Sequence, residues 1–302
     1  MTMPSMPSTA SRAQPLKRMD RHPPKPPPRG LILLAIGLLG LLAAFFLGLR
    51  PAGLVPNAGG LALARDFFSA ALEPALSRQG PTLVAHSTPF LAELAFAALR
   101  TLIFAAAAMS LALLAGLPLG ILASETWWRR SAFSSSRVTA TARGLQATVR
   151  VGIALLRSVH ELIWAVVLLA AVGMNTFGAV LAIAIPYSGT LAKVFSEMLD
   201  EAPRHSAKAM EGIGVRPLSV FLFGLVPRAL PDLIAYTAYR FECAVRSAAV
   251  LGFFGYPTLG YHLTLSFGDG RFRETWTTIY LLLGLILFLE WWSTAIRRRL
   301  VS

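Results

Sequence analysis

Cysteine is nearly absent. Cys243 is the only one in 302 residues, which excludes a disulfide framework within the chain and leaves a small packing residue. Histidine is sparse as well, and the five are scattered without any H-x-x-E-H or C-x-x-C pairing that would build a metal site. No Gly-Lys pair occurs, so the chain has no G-x-x-x-x-G-K-[ST] cradle for nucleotide phosphates. It also lacks G-x-S-x-G, the strand-to-helix context of many hydrolase nucleophiles. Charge is scarce at 14% of residues and lopsided, with 15 acidic against 28 basic side chains.

What is abundant is apolar surface. Hydrophobic residues reach 55% and mean hydropathy is +0.60, values that point to several membrane spans instead of a soluble globular domain. A net charge of +13 would suit nucleic acid only if the basic residues shared one soluble face; here they fall between long apolar runs.

A helix needs about 20 apolar residues to cross a bilayer. Residues 31–49 form such a run without one charge, read as an uncleaved anchor because the run is long and lacks a small-residue cleavage site. Residues 1–30 hold eight prolines and six basic side chains, and are expected to be a disordered, extended tail. Residues 50–87 form a connecting segment. Further runs at about 88–123, 149–173, 176–198, 229–254 and 275–296 bring the expected total to six spans. The first of these is too long for one perpendicular span and is expected to include an interfacial helix.

The basic residues orient the chain. The tail, the 127–150 segment, the 197–232 segment and the end at 297–299 carry six, five, four and three Lys/Arg, whereas 50–87, 173–176 and 255–274 carry three, none and two. By the positive-inside bias the four rich segments, including both termini and the 298–302 tail, are cytoplasmic, and 50–87 is extracytoplasmic. The expected fold class is therefore an all-α membrane protein of about six transmembrane helices.

Between the fourth and fifth spans, residues 197–232 read as helix, turn, helix: good helix formers from Ser206 to Glu211, glycines at 212 and 214, then an apolar run ending at Pro227. A helix pair protruding at a membrane surface suits docking into a partner's groove, although an ordinary helical connection has the same spacing.

This segment resembles the cytoplasmic signature loop of ABC-transporter permeases of bacterial importers, Glu-Ala-Ala, three residues, Gly, nine residues, Ile-x-Leu-Pro. Aligned on Gly214, the chain has Lys208, Ala209, Met210, Gly224, Leu225, Val226 and Pro227, so Lys208, Met210 and Gly224 depart from the pattern. Residues 157–168, the Tyr239-Arg240-Phe241-Glu242 run and Ala248 to Gly252 are similar to the permease of phosphonate importers. The resemblance covers about 89–255, and bulky "FFGYP" stands where that family has small residues.

The resemblance implies a permease core over about 88–297 in a bacterial inner membrane, paired as a homodimer. It implies a separate ATPase subunit that hydrolyses ATP and grips Lys208, Ala209, Met210, Gly214 and Pro227, with the coupling segment at about 198–227. It also implies an extracytoplasmic binding protein delivering phosphonate or another small oxyanion such as phosphite or phosphate, and no cofactor on this chain. A stand-alone channel or carrier and a membrane-embedded enzyme remain the alternatives from other classes.

Charge at a bilayer centre costs about 3 kcal/mol on insertion scales, so charged residues within the spans are candidate pathway groups. Arg157 with Glu161, Lys193 with Glu197 and Glu242 with Arg246 are each four apart and could neutralise one another on one helix face. Arg240 lacks such a neighbour. Its partner is expected to be Asp232, Glu161 or an anionic substrate, for which a guanidinium fork is well shaped. The candidate pathway residues are thus Arg240, Glu242, Arg246 and Glu161. Glu93, Arg100 and Glu290 lie near span ends, where long side chains reach the interface.

Overall fold

In hydrocarbon a backbone amide has no water to bind, so a spanning segment must satisfy its polar groups internally, as a helix does. The computed structural model describes residues 29–49, 53, 57–79, 89–130 and 136–301; among them no strand occurs. The expectation of a disordered tail lies outside the described residues, apart from Arg29 and Gly30. The chain divides into two compact units, 1–61 and 62–302. In the first unit, α1 (Arg29–Phe46) is apolar and stops two residues before Gly48 (φ +64), so it covers the run of 31–49 except for its last three residues.

In the second unit the elements follow in order: α3 (Phe90–Ala123), α4 (Glu125–Arg130), α5 (Ser136–Ser158), α6 (Glu161–Val172), α7 (Thr176–Glu201), α8 (His205–Gly212), the short α9 (Pro217–Ser219), a π-helical turn at Val220–Leu225, α10 (Val226–Val250), α11 (Leu259–Gly268) and α12 (Phe272–Val301). The helix α2 (Ala58–Ser69) precedes them. Among the described residues four stretches are long and apolar enough to cross a membrane: Phe90–Ala123, Thr176–Glu201, Pro217–Phe254 and Phe272–Ala295. A fifth counts if α5 and α6 form one broken span, since they meet at 86°.

Three expectations change. The 88–123 run is one helix of 34 residues, about 51 Å long, with no separate interfacial helix. The 149–173 run is bent, because His160 leaves the helix in an extended conformation and its Nδ1 accepts from Leu162 N at 3.3 Å, capping a new start. The run that was expected to stop at Pro227 continues through it: Pro227 stands in the first turn of α10, where a missing amide is tolerated, a π turn at Val220–Leu225 precedes it, and the helix reaches Val250.

The bundle is organised around α7. Buried small residues line α3 at Ala105, Ala108, Ala112, Gly116, Gly120 and Ala123, and they let α3 lie in parallel contact with α7. A Cβ on Gly116 would stand 3.0 Å from Ser188 O, and one on Gly120 3.1 Å from Ala192 O. Such small-residue seams give close backbone approach where lipid supplies no hydrophobic drive. The core between α3, α6, α7 and α10 includes Phe104, Met109, Ala165, Ile183, Tyr187, Leu191 and Val245.

At the end where α3 and α12 begin, the last turn of α2 and the segment following it are tied to α12. Trp276 Nε1 donates to Phe67 O at 2.7 Å, Tyr280 OH to Ala71 O at 2.8 Å and Thr277 Oγ1 to Ala75 O at 2.7 Å. Glu274, 1% exposed, accepts from Gln79 N and pairs with Arg271. Glu93 pairs with Arg78. The bulky run after α10 is accommodated by glycines: the backbones at Gly252 and Gly260 touch so closely that a Cβ on Gly252 would lie 2.0 Å from Tyr261 N. Tyr256 is then buried against Phe104, with ring centroids 6.1 Å apart.

Because the seam has no room, Gly120→Leu is expected to cost about 1–3 kcal/mol by overpacking, read as a lower Tm of the detergent-purified protein. Leu114, 74% exposed on the same helix, should tolerate Ala with little change. An unaltered Tm for Gly120→Leu would contradict the seam.

Candidate functional site

Two sites follow from this frame: a hairpin at one end of the bundle and a polar seam inside it.

The hairpin begins where Ala202 and Pro203 end α7. α8 closes with Gly214 at φ +77: Gly214 N donates to Glu211 O at 3.0 Å and Val215 N to Met210 O at 3.1 Å. This paired closure is a Schellman cap, and it places Gly214 where an L side chain is strained. A Cβ there would meet nothing within 4 Å, so backbone conformation alone demands the glycine. Pro217 then starts α9. Ala207 is fully buried under the return strand of helix, whereas Lys208, Ala209 and Ile213 (81% exposed) face outward with Leu218 and Phe223 (72% exposed). Helix, turn, helix is what the sequence suggested; the π turn was not.

Two of the three departures from the signature pattern touch each other. A Cβ on Gly224 would lie 3.2 Å from Met210 Sδ and 3.1 Å from Ala207 Cα. The larger residue at 210 thus occupies the space that a side chain at 224 would need. Lys208, the third departure, is exposed and changes only the surface charge. Pro227 lies exposed at the start of α10.

The seam joins α6, α7 and α10. Ser247 Oγ donates to Glu161 Oε1 at 3.0 Å, and Tyr187 OH lies 3.1 Å from the same hydroxyl. With the serine proton committed to the carboxylate, the tyrosine is the donor in the second bond. Glu161 Oε2 is also 3.6 Å from His160 Nε2. Glu242, 6% exposed, pairs with Arg246 one turn on, and Lys193 Nζ meets Glu197 Oε1 at 2.6 Å, as the four-residue spacing suggested.

Arg157 does not meet Glu161, because the 86° break separates them and four-residue spacing brings side chains together only along a continuous helix. Arg240 meets neither Asp232 nor Glu161. Its Nε donates to Tyr236 OH at 2.8 Å, and its guanidinium lies 5.4 Å from the Tyr236 ring centroid and 5.8 Å from that of Tyr187. Aromatic faces attract a guanidinium by about 0.5–2 kcal/mol while leaving its outer N–H groups uncommitted. Tyr187 therefore borders both Glu161's network and Arg240.

Beside Tyr236 a cavity of about 660 Å³ opens among Met198, Glu201, Ala202, Asp232, Tyr236 and Tyr239, between the end of α7 and α10. Tyr187, Tyr236 and Ser247 went unnoticed in the sequence, where the signal was faint: single hydroxyls in apolar runs. Among the described residues no cluster of His, Cys, Asp or Glu could hold a metal ion.

A family model described as the binding-protein-dependent transport system inner membrane component matches residues 81–302. HtxE of Stutzerimonas stutzeri, named for a phosphite transport system permease, is 31% identical over 176 residues, which is 58% of this chain and 67% of that protein. PhnE of Mycolicibacterium smegmatis, named a phosphate-import permease, is 28% identical over 70% of this chain and 37% of its own length. PtxC of Stutzerimonas stutzeri, a phosphite transport system permease, is 30% identical over 55% of this chain and 61% of its own length. The chain thus spans 37% to 67% of these three relatives. The bundle matches a chain of the inward-facing MetNI methionine ABC transporter with TM-score 0.58 at 22% identity, over 71% of this chain and 99% of that one, a likeness of fold. The chain belongs to the binding-protein-dependent transport inner membrane family, a multi-pass transport component of the bacterial inner membrane and not an enzyme.

If Met210 and Gly224 share one space, their substitutions must be coupled. Gly224→Ile should destabilise the protein strongly alone and less in a Met210→Ala background, with a coupling energy of about 1 kcal/mol. Thermal unfolding of the four members of the cycle measures it, and additive effects would separate the two residues.

Proposed function

We infer, from the chain's membership of this family, that two copies form the translocation pathway of an ABC importer for a phosphorus oxyanion: phosphonate, phosphite or phosphate. The names of the relatives support the substrate class. A separate ATPase subunit supplies the energy, and a soluble extracytoplasmic protein delivers the substrate.

The coupling role rests on one observation, the hairpin at the end of α7. Its Gly214 turn has a fixed geometry, and its outward face presents apolar Ile213 beside Lys208 and Ala209, which suits insertion into a groove. Movement there passes directly to α7 and α10, since the hairpin joins their ends. In this reading ATP binding and hydrolysis by the partner subunit rock the two helices, and the hairpin lies on the cytoplasmic side with both termini.

Arg240, Glu161, Glu242 and Arg246 line or brace the substrate pathway. Arg240 is the anion contact: a guanidinium held by aromatic rings instead of a carboxylate offers N–H groups to a passing oxyanion without a fixed counter-charge to displace. The Glu242–Arg246 pair and the Glu161–Ser247–Tyr187 chain brace the helix that carries it. A contact of this kind is transient, because deep binding would slow release.

Reconstitution with a cognate ATPase subunit and binding protein tests the reading. Arg240→Gln is expected to lower uptake of the cognate oxyanion about tenfold, the effect of a lost contact of about 1.4 kcal/mol, while the ATPase still co-purifies; normal uptake would remove Arg240 from the pathway. Gly214→Val should strain the turn by about 1–2 kcal/mol and sever substrate-stimulated ATP hydrolysis from transport. Full coupling in that variant would contradict the hairpin's role.

A further inference from the structure

The break between α5 and α6 has a consequence for Arg157. Among the described residues it has no carboxylate partner, since Glu161 has turned away to Ser247. Arg157 instead lines a cavity of about 610 Å³ between α5 and α7, together with Arg150, Lys193, Ser196, Glu197 and Asp200.

The acidic groups in that cavity are already engaged. Asp200 accepts from Ser124 Oγ at 2.6 Å, Glu125 N at 3.0 Å and Thr126 N at 2.9 Å, holding the first turn of α4. Glu197 holds Lys193. Arg150 is committed through Nε to Ala123 O at 3.1 Å and only loosely to Glu125, at 3.4 Å. What remains is the Arg157 guanidinium, with no carboxylate partner among the described residues, in a cavity where three cations, Arg150, Arg157 and Lys193, face two carboxylates, Glu197 and Asp200. A planar fork with two or more donors, in a groove whose carboxylates are occupied, fits a tetrahedral or pyramidal oxyanion.

The placement narrows the ligand further. Arg143, Arg150 and Arg157 recur every seven residues and so share one stripe of α5. Leu145, Val151 and Leu155, exposed by 50%, 60% and 65%, occupy the other side of the helix. A helix with a basic stripe and an open apolar face is built for the level where lipid phosphates lie. The cavity also sits at the hairpin end of α7, one turn before α8.

We propose that the α5–α7 groove is a phosphate-oxyanion site centred on Arg157 and assisted by Arg150 and Lys193, distinct from Arg240. The phosphate group belongs either to an anionic phospholipid headgroup or to a free anion. In the second case the site is a further station for the transported substrate, and that form rests on the transport reading above.

The test uses the full-length protein in nanodiscs, without ATPase or binding protein, so that it does not depend on transport. In one arm, native mass spectrometry counts retained phosphatidylglycerol against phosphatidylcholine. In the other, titration calorimetry follows binding of inorganic phosphate in phosphatidylcholine nanodiscs. The wild type is expected to retain phosphatidylglycerol selectively or to bind phosphate. Arg157→Gln should weaken the one observed about tenfold, Arg157→Lys should restore part of it, and Lys193→Gln should weaken it less. Loss in the lipid arm assigns the phosphate to a headgroup, and loss in the calorimetric arm assigns it to a free anion. An Arg157→Gln protein with wild-type Tm and wild-type behaviour in both arms overturns the site. If Arg157→Gln misfolds, the comparison is carried by Arg157→Lys and Lys193→Gln, whose equality with wild type overturns it in the same way.

Discussion

The close approach of α3 and α7 is the constraint on which the remaining packing depends. With Gly116 and Gly120 against Leu191, Ser188 and Ala192, the two backbones are too near for any side chain to be exchanged for a larger one. α7 is thereby fixed along its length, and its other faces become the surface against which α5, α6 and α10 settle. Gly189 repeats the device on the side of α5, where a Cβ would lie 3.0 Å from Ile153 O. A membrane interior rewards such contacts through dispersion and shape, because burying apolar groups away from lipid gains little. One helix thus positions both the hairpin at its end and Tyr187 at its middle.

The apolar runs were legible in the sequence because hydropathy needs only composition, and α7, α12 and most of α3 fall where the runs predicted. The break at His160 was not legible: "RSVHELIWAVV" is uniformly helix-compatible in propensity, and only a capping side chain with extended backbone turns it by 86°. The four-residue rule then gave the right answer for Lys193–Glu197 and Glu242–Arg246, which lie on continuous helices, and the wrong one for Arg157–Glu161. Gly214 was readable because a positive φ leaves a mark in residue type. Tyr187 and Ser247 were not, since nothing in a single sequence says that hydroxyls sixty residues apart will meet.

The hairpin illustrates how local departures from a pattern can leave the geometry intact. Met210 is larger and Gly224 smaller than the residues of the signature loop, and each sits where the other makes room. Pro227 stands in the first turn of α10, where proline is tolerated, Pro231 lies inside that helix, and the wider π turn at Val220–Leu225 precedes both. Gly224 lies inside that turn, so the place where the helix is most irregular is also where it touches α8. α8 is thus packed directly against the turn that leads into α10.

The charges of the bundle follow one ordering principle. Four carboxylates near its middle and hairpin end are engaged: Glu242 by Arg246, Glu161 by Ser247, Glu197 by Lys193, Asp200 by the amides of α4. The two guanidinium groups of Arg240 and Arg157 are not matched in this way; one rests on tyrosine faces and the other borders an open groove. Free carboxylates beside them would collapse onto them as ion pairs, and a passing anion would then have to displace a group held at much higher effective concentration. A guanidinium resting on tyrosine faces, as that of Arg240 does, keeps outer N–H groups uncommitted, whereas one in an ion pair does not.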